Sequence, residues 1–406
     1  MSKGTRHPQG DRTIAVIGTR GIPASYGGFE TSAERTATRW AELGRDVVVY
    51  CRRSHYDTHP SSYQGVRLRY TRSLNRFGLD TPVAGLFAVI NLLLHERQAR
   101  TVHLYNTGNG FLIPLLRLMG RRVSISVDGI EWRRQKWGPV QRFAHQLGER
   151  LSVRFADTVI ADNAAVAAYY AERHGADTEL IAYGADLLDV DETAARPVLT
   201  RHDLVAGRYF LFVGRFAEEK AVDKLIDAYH ELDTDIPLVI VGDADPSPYR
   251  DAIWERASDR VRLLGFTYGD DYEHLLTNAR MYVSASMLEG TSPSLLSAMA
   301  AGVCCLVNGI EENHNAAGDS AHFFAENEFD DLSRRWQWLL DHTDQIDLMA
   351  GRGREHVRTT YQWGDIADRF LEVFDSYWES APATAPTRPT VTARPGSAQE
   401  STTAGL

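Results

Sequence analysis

Several loops in this sequence place charged, hydroxyl or glycine residues directly after apolar runs, which is where a parallel sheet presents reactive groups. In EGTSPSLLSAMAAG, Glu289 is followed by Gly290, Thr291 and Ser292, and then by an alanine-rich helical stretch carrying Ser297. In GRFAEEK, Arg215 and Lys220 bracket a turn. Two cations there can neutralise a diphosphate as a bond to it breaks, the electrostatic role that usually contributes most to catalysis. A pair of solvated surface charges would read the same way. Against that, the 44 basic residues include lysine only at Lys3, Lys136, Lys220 and Lys224, which favours phosphate binding at this turn.

The first half of the chain offers two further loops. GTRGIPASYGGFE lacks the GxGxxG spacing of a dinucleotide fingerprint, but Gly27 and Gly28 stand before a helix start, where backbone N–H groups can hold a phosphate. A tight turn would use the same glycines. Arg20 and Glu30 flank this loop and can face a cleft. In SVDGIEWRRQKWG, Asp128, Glu131 and Trp132 follow a strand. A carboxylate there can orient or deprotonate an acceptor hydroxyl, and a capping aspartate explains Asp128 equally well. Asp243 and Asp245 in GDADP imitate a metal motif, yet they sit at a strand end where an aspartate commonly caps the next turn. With no His/Cys cluster either, neither a metal nor a cofactor is expected, and Arg215 and Lys220 supply the countercharge.

These loops need a scaffold that brings strand ends together. The runs TIAVIG, DVVVY, TVHLYN, VSISVD and TVIADN alternate with helical stretches, and YFLFVG, PLVIVG, VRLLGF, MYVSAS and VCCLV restart the rhythm. Nearly continuous apolar runs of this length are strands buried on both faces. The fold class is therefore α/β, with two Rossmann-like domains whose parallel sheets face a central cleft. A chain of 406 residues suits two such domains. The expected division is a disordered N-terminus at 1–12, an acceptor-side domain at 13–186 and a donor-side domain at 187–362. A helix at 363–380 packs back on the first domain, and a disordered Ala/Pro/Thr/Ser tail covers 381–406. The polar stretch 183–203 reads as an irregular linker.

A net charge of -10 argues against general nucleic-acid binding, so any basic surface is local. One such stretch runs from Glu131 to Phe155. It carries Arg133, Arg134, Lys136, Arg142, Arg150 and Arg154 against Glu131 and Glu149, and Phe143, Leu147, Leu151 and Phe155 form a stripe. A helix of this kind can lie on an anionic membrane surface, but the stripe reads somewhat better as core. The run 82–94 is too short to span a bilayer and reads as a core helix. Three buried cysteines and an N-terminus without an apolar leader point to the cytoplasm, with peripheral contact at the inner face of the membrane as an option.

Taken in order, GTRGIPASYGGFE, VDGIEWRRQKWG, VGRFAEEK and EGTSPSLLSAMAAG resemble the GT-B glycosyltransferases of family 4 over roughly residues 13 to 378. More narrowly, they are similar to the bacterial rhamnosyltransferase-type subgroup of capsule and exopolysaccharide assembly. The resemblance implies a retaining transferase that needs no metal, takes a sugar from a nucleoside diphosphate donor and passes it to a glycan acceptor, with a lipid-linked glycan expected. Arg215 and Lys220 would then contact the diphosphate, Gly27 and Gly28 would let the backbone approach it, and Glu289 would contact the transferred sugar. Gly290, Thr291, Ser292 and Ser297 would complete the donor side, with Arg20, Glu30, Asp128, Glu131 and Trp132 on the acceptor side. Family 4 usually has a second glutamate on the ribose hydroxyls where this chain has Ser297. That exchange removes a bidentate hold, about 1–3 kcal/mol of binding.

The leading expectation is a sugar transferase using a dTDP- or UDP-linked sugar, L-rhamnose by resemblance. A non-catalytic GT-B scaffold is the second reading, supported by Ser297. A nucleotide-sugar epimerase is the third, and it would want more acids and histidines in the cleft.

Overall fold

The computed structural model describes residues 13–24, 27–73, 80–127, 129–134, 137–189 and 191–379. Asp128 and the two termini expected to be disordered lie outside the described residues. The first domain runs through β1 (Ile14–Ile17), α1 (Gly28–Glu42), β2 (Val47–Arg52), β3 (Ser62–Tyr63), β4 (Val66–Thr71) and α2 (Asp80–His95). It continues through β5 (Thr101–Tyr105), α3 (Ile113–Leu118), β6 (Arg122–Val127), α4 (Pro139–Phe155), β7 (Thr158–Ala161), α5 (Ala164–His174) and β8 (Glu179–Leu180). Its strands form one sheet in the order β3-β4-β2-β1-β5-β6-β7-β8, parallel except for the β3–β4 pair.

The second domain holds α6 (Glu192–Arg201), β9 (Phe210–Val213), α7 (Val222–His230), β10 (Leu238–Val241), α8 (Pro248–Trp254), β11 (Val261–Gly265) and α9 (Gly269–Thr277). Beyond these lie β12 (Met281–Ser284), α10 (Pro293–Ala300), β13 (Cys304–Asn308), α11 (Glu311–Ala317), β14 (His322–Phe324), α12 (Phe329–Asp341) and α13 (Thr343–Thr360). Its parallel sheet has the order β11-β10-β9-β12-β13-β14. In both sheets the central strands are buried on both faces, which is why their sequences are apolar without alternation.

Part of the expected linker is helical. Asp191 caps α6 by accepting the Ala194 N–H at 2.9 Å, and Ala195, Val198 and Leu199 bury one side of the helix against the second domain. Local capping and a short apolar stripe outweigh the acidic composition that suggests an irregular connection.

The last helix, α14 (Trp363–Glu379), crosses back and packs on α1. The Trp40 indole N–H donates to the Ala367 carbonyl at 2.9 Å, Arg45 pairs with Asp375 at 2.7 Å, and the Tyr377 hydroxyl donates to Thr158 at 2.6 Å. The rings of Phe370 and Phe374 meet Trp40 edge-on. The two faces of the first sheet are thus treated differently: α1 and α14 cover one, while α2 and α3 pack on the other.

Two side chains of the first domain that the stripe pattern assigns to the core lie outside it. Phe143 is 60% exposed and Leu147 42%. α4 rests on α3 and on the turn Thr107–Leu112 through Gly148, where any Cβ would lie 2.1 Å from the Thr107 carbonyl oxygen. Backbone-to-backbone packing at Gly148 buries that flank and turns the aromatic stripe outward. The 82–94 run departs from expectation in the same way. Ala84, Ala88, Val89 and Leu92 face the sheet, whereas Leu86, Phe87, Ile90 and Leu94 are exposed. Among the described residues, no helix is long and apolar enough to cross a membrane.

Beneath the turn Glu131–Arg133 lies a buried chain of polar groups. The Trp132 indole N–H donates to the Tyr169 hydroxyl at 2.9 Å, and that hydroxyl donates to Glu149 at 3.0 Å. Burial pushes the Glu149 carboxyl up to about 7, against the hydrogen bond from Tyr169 and the nearby arginines. His174 Nε2 stands 3.5 Å from the same carboxylate, and burial holds that imidazole below its usual range.

Two stability measurements follow from this packing. Phe374→Ala empties a fully buried site between α14, α1 and the sheet, and should cost about 3–5 kcal/mol in denaturant unfolding. For Glu149, the folded chain keeps a proton that the unfolded chain releases between its ordinary value of 4.5 and about 7. Its contribution to stability is therefore lost as pH rises through that window. Glu149→Gln should flatten the fall in melting temperature between about pH 5 and 8, and parallel profiles would contradict the assignment.

Candidate functional site

Of the expected donor-side residues, Lys220 and Glu289 do come together. Lys220 ends a single turn after β9, and its Nζ pairs with Glu289 in the loop after β12, a strand hydrogen-bonded beside β9. The two side chains are 17% and 10% exposed. The Met287 N–H donates to the Glu219 carbonyl at 2.8 Å, locking the two loops backbone to backbone. Glu289, alone in its own stretch of sequence, is therefore not a lone carboxylate in space. Arg215 is half-buried at the start of the same turn, and its side chain has no hydrogen-bond or ion-pair partner among the described residues. A cation desolvated in this way is poised for an anion that the chain itself does not supply.

The remaining donor-side residues divide. Gly290, Thr291 and Ser292 are buried in the turn that opens α10. Thr291 is occupied: its N–H donates to the Asp162 carboxylate at 2.8 Å and its hydroxyl donates to the Asp162 carbonyl. It thus joins the domains rather than facing the cleft. Ser297 is half-buried and stands beside Tyr272 on α9. Asp243 accepts from the Ala244 N–H and from Arg250 and Trp254, so its oxygens are taken up by the turn it caps.

Gly28 marks a close approach of the two domains. A Cβ there would lie 3.0 Å from Cγ of Pro293 and 3.6 Å from the Tyr183 ring. Gly28 begins α1 and Pro293 begins α10. The N-termini of two helices from opposite domains therefore meet, and neither N-cap residue, Gly27 or Ser292, makes a side-chain capping hydrogen bond. Pro293 follows Glu289 by four residues, so this meeting point lies close in the chain to the Lys220–Glu289 pair.

The acceptor-side residues are tied up more than their types suggest. Glu30 is buried and accepts the Arg20 N–H at 2.8 Å, closing the glycine-rich loop on itself. Burial raises its pKa, and the Arg20 and Arg52 charges oppose that shift. Glu131 is buried beside Arg134 at 2.8 Å, and Arg134 reaches Glu219 of the second domain at 3.9 Å. Trp132 is held by Tyr169, with the Arg133 and Arg173 guanidinium groups 5.8 and 5.2 Å from its ring centre. Gly129, next to Asp128, lies against the Glu289 and Gly290 backbone.

Sequence reasoning missed Asp162 and Asn163. They follow β7, and the Asn163 amide donates to the Glu312 carbonyl at 3.0 Å while Asn315 donates back to Asn163 at 3.4 Å. Their place at a strand end was the available signal. Arg134 reads only as part of the basic stretch after Glu131, and Tyr272 gave no signal.

Comparison with known proteins agrees with this architecture. Residues 205–356 match the family described as glycosyl transferases group 1, and residues 11–186 match a domain of unknown function, DUF1972. The O-antigen chain mannosyltransferase B of Escherichia coli is 23% identical over 210 residues, 48% of this chain and 53% of that protein. The chain thus spans about half the length of this curated relative. Sucrose-phosphate synthase from Thermosynechococcus elongatus superposes with a TM-score of 0.78 at 18% identity, over 91% of this chain and 100% of that one. Anabaena HepE, solved in complex with UDP and glucose, gives 0.74 at 16% identity, over 90% of this chain and 100% of that one. The group 1 glycosyl transferase match thus falls on the second domain, and the solved neighbours share the GT-B arrangement of both sheets.

Proposed function

We propose that the chain transfers a sugar, L-rhamnose in the first instance, from a dTDP- or UDP-linked donor to a lipid-linked glycan in cell-surface polysaccharide assembly, with retention at the anomeric carbon. The observation that carries this reading is the Lys220–Glu289 pair in the loops after β9 and β12, with Arg215 half-buried after β9 and the start of α1 meeting the start of α10 across the domains. This is a site for a diphosphate joined to a polyhydroxyl group. UDP in the HepE complex and O-antigen in the relative's name point the same way.

In the proposed reaction the bond from the anomeric carbon to the diphosphate breaks, and its electron pair stays on phosphate oxygen. Arg215, Lys220 and the N–H groups of α1 and α10 stabilise that charge. The acceptor hydroxyl oxygen bonds to the same face of the sugar, and its proton passes to the departing phosphate. Glu289 holds the transferred sugar and orients Lys220. No metal or other cofactor enters the scheme. Ser297, half-buried on α10, offers the ribose a single neutral contact. The acceptor domain works from the inner face of the cytoplasmic membrane.

The first test is thermal unfolding with dTDP, UDP, GDP and ADP at millimolar concentration. A ligand at 100 times its Kd stabilises by about 2.7 kcal/mol, so the cognate diphosphate should raise the melting temperature and the others should not. No shift with any of them would turn the assignment toward a non-catalytic GT-B protein. Lys220→Ala should lower kcat/KM for transfer at least about tenfold, roughly 1.4 kcal/mol of transition-state stabilisation, and near-wild-type transfer would reject its role.

A further inference from the structure

We infer that Thr19, Arg52 and Asp80 form a pocket that reads one hydroxyl group of the glycan acceptor. The three residues come from separate elements: Thr19 follows β1, Arg52 ends β2 and Asp80 opens α2. All three positions lie at the carboxyl edge of the first sheet, the edge at which ligands bind in a parallel α/β domain. A cavity of about 10 Å³ lies there, with Thr19, Arg52 and Thr81 in its lining. The residues that α2 turns toward it, Ala84, Gly85 and Ala88, are small, and this leaves the space open. Room of this size takes one oxygen-sized group.

Polar atoms without partners collect at this place. Thr19 Oγ1, Arg52 Nε and Asp80 Oδ1 are buried, and none has a hydrogen-bond partner among the described residues. Thr19 is 3% exposed and Arg52 6%. The rest of the same groups is engaged: one terminal nitrogen of Arg52 pairs with Asp80 Oδ2, and the other donates to the Thr81 hydroxyl at 3.1 Å. The pocket is thus held in place while one donor, one acceptor and one hydroxyl are left over. Buried polar groups in a native fold normally have partners, so an incoming group that completes this set gains what the chain does not supply.

The leftover set fixes the chemistry of the ligand. Arg52 Nε–H only donates and ionised Asp80 only accepts, and a hydroxyl accepts from the first while donating to the second. A phosphate or carboxylate oxygen would meet the Asp80 carboxylate, and an ammonium would meet the Arg52 guanidinium. The local charges agree, since Arg20 and Arg52 are balanced by Glu30 and Asp80. A sugar hydroxyl and a water share this chemistry, and position favours the sugar. The Arg52 N–H donates to the Arg20 carbonyl at 2.8 Å, which joins the pocket to the glycine-rich loop that leads to Gly28 and its contact with Pro293. Asp80 and Thr81 are partly exposed and form the rim. A sugar ring resting on that rim turns one hydroxyl inward. A pocket built to hydrogen-bond a hydroxyl rejects a ligand that lacks it, so these three residues determine specificity. The inference rests on the proposed transfer only in taking the sugar as the acceptor; its binding is measured without turnover.

The test is a ligand-observed NMR titration of the full chain with the methyl glycosides of glucose, galactose, mannose and rhamnose and their singly deoxygenated forms, with and without dTDP or UDP. The wild-type chain should bind at least one glycoside. Thr19→Val keeps the size and deletes the hydroxyl, and Asp80→Asn keeps the size and replaces an acceptor by a donor. Each should weaken that binding at least about tenfold while keeping the nucleotide-induced melting shift. One deoxygenated form should bind the wild-type chain as weakly as the parent glycoside binds the variants, and the variants should not distinguish that form from its parent. The inference is overturned if none of the glycosides binds the wild-type chain, if either variant binds them as tightly as the wild type, or if the variants discriminate against the deoxygenated forms as the wild type does. Altered melting of the variants with unchanged glycoside binding would identify a cavity for water only, and also overturns it. Glycoside binding without a nucleotide shift would sink the transferase reading alone, and a nucleotide shift without glycoside binding would sink this inference alone.

Discussion

The arrangement of the cleft depends on one buried polar contact between the domains. Asp162 at the end of β7 accepts the Thr291 N–H with its carboxylate and the Thr291 hydroxyl with its carbonyl, and Asn163 next to it binds the Glu312 carbonyl. Asp162 is 5% exposed and Thr291 3%, so each group would lose its hydrogen-bonding partner on separation unless water entered. Polar groups buried this deeply enforce a particular geometry, because a shifted interface leaves them unsatisfied. That geometry lets Gly28 meet Pro293 and lays Gly129 against the Glu289 backbone.

Within that frame, the pairing of Lys220 with Glu289 settles how charges are held in a half-buried place. Each ion compensates the desolvation of the other, and neither could stay charged there alone at low cost. An anionic ligand can then share Lys220 without an isolated buried ammonium having to exist beforehand. Arg215 needs less compensation, since a guanidinium is weakly hydrated and stays charged. The pair and the solitary arginine thus divide the work between keeping the site ordered and leaving it receptive.

The first domain divides its outer layers in a similar way. α14 returns from the second domain to seal the α1 face of the sheet with aromatic rings, leaving α2, α3 and α4 on the other side. Close backbone contact at Gly148 holds those helices together without their larger side chains. Phe143, Leu118 and Ile90 are therefore surplus to the core, and their exposure is a property of the packing rather than of any single helix.

Much of the fold was legible from local patterns. Unbroken apolar runs such as FLFV and LVIV mark central strands whatever surrounds them, since any strand buried on both faces must be apolar throughout. Strands near the sheet margins escaped: VRLRYT of β4, flanked on one side only by the two-residue β3, alternates arginine with apolar residues, and β8 spans only Glu179–Leu180. α6 escaped because its acids and Pro197 obscured a narrow buried stripe. The sequence by itself determined the α/β rhythm and which loops stand at strand ends, because helix and strand periods are set by neighbours a few residues apart. Only the tertiary structure decided which of those residues meet. Lys220 and Glu289 are 69 positions apart, and Asp162 and Thr291 are 129 apart. Strand order, not spacing along the chain, brings such groups within hydrogen-bonding reach, and the packing of helices on the sheet decides which apolar stripes are buried and which face outward.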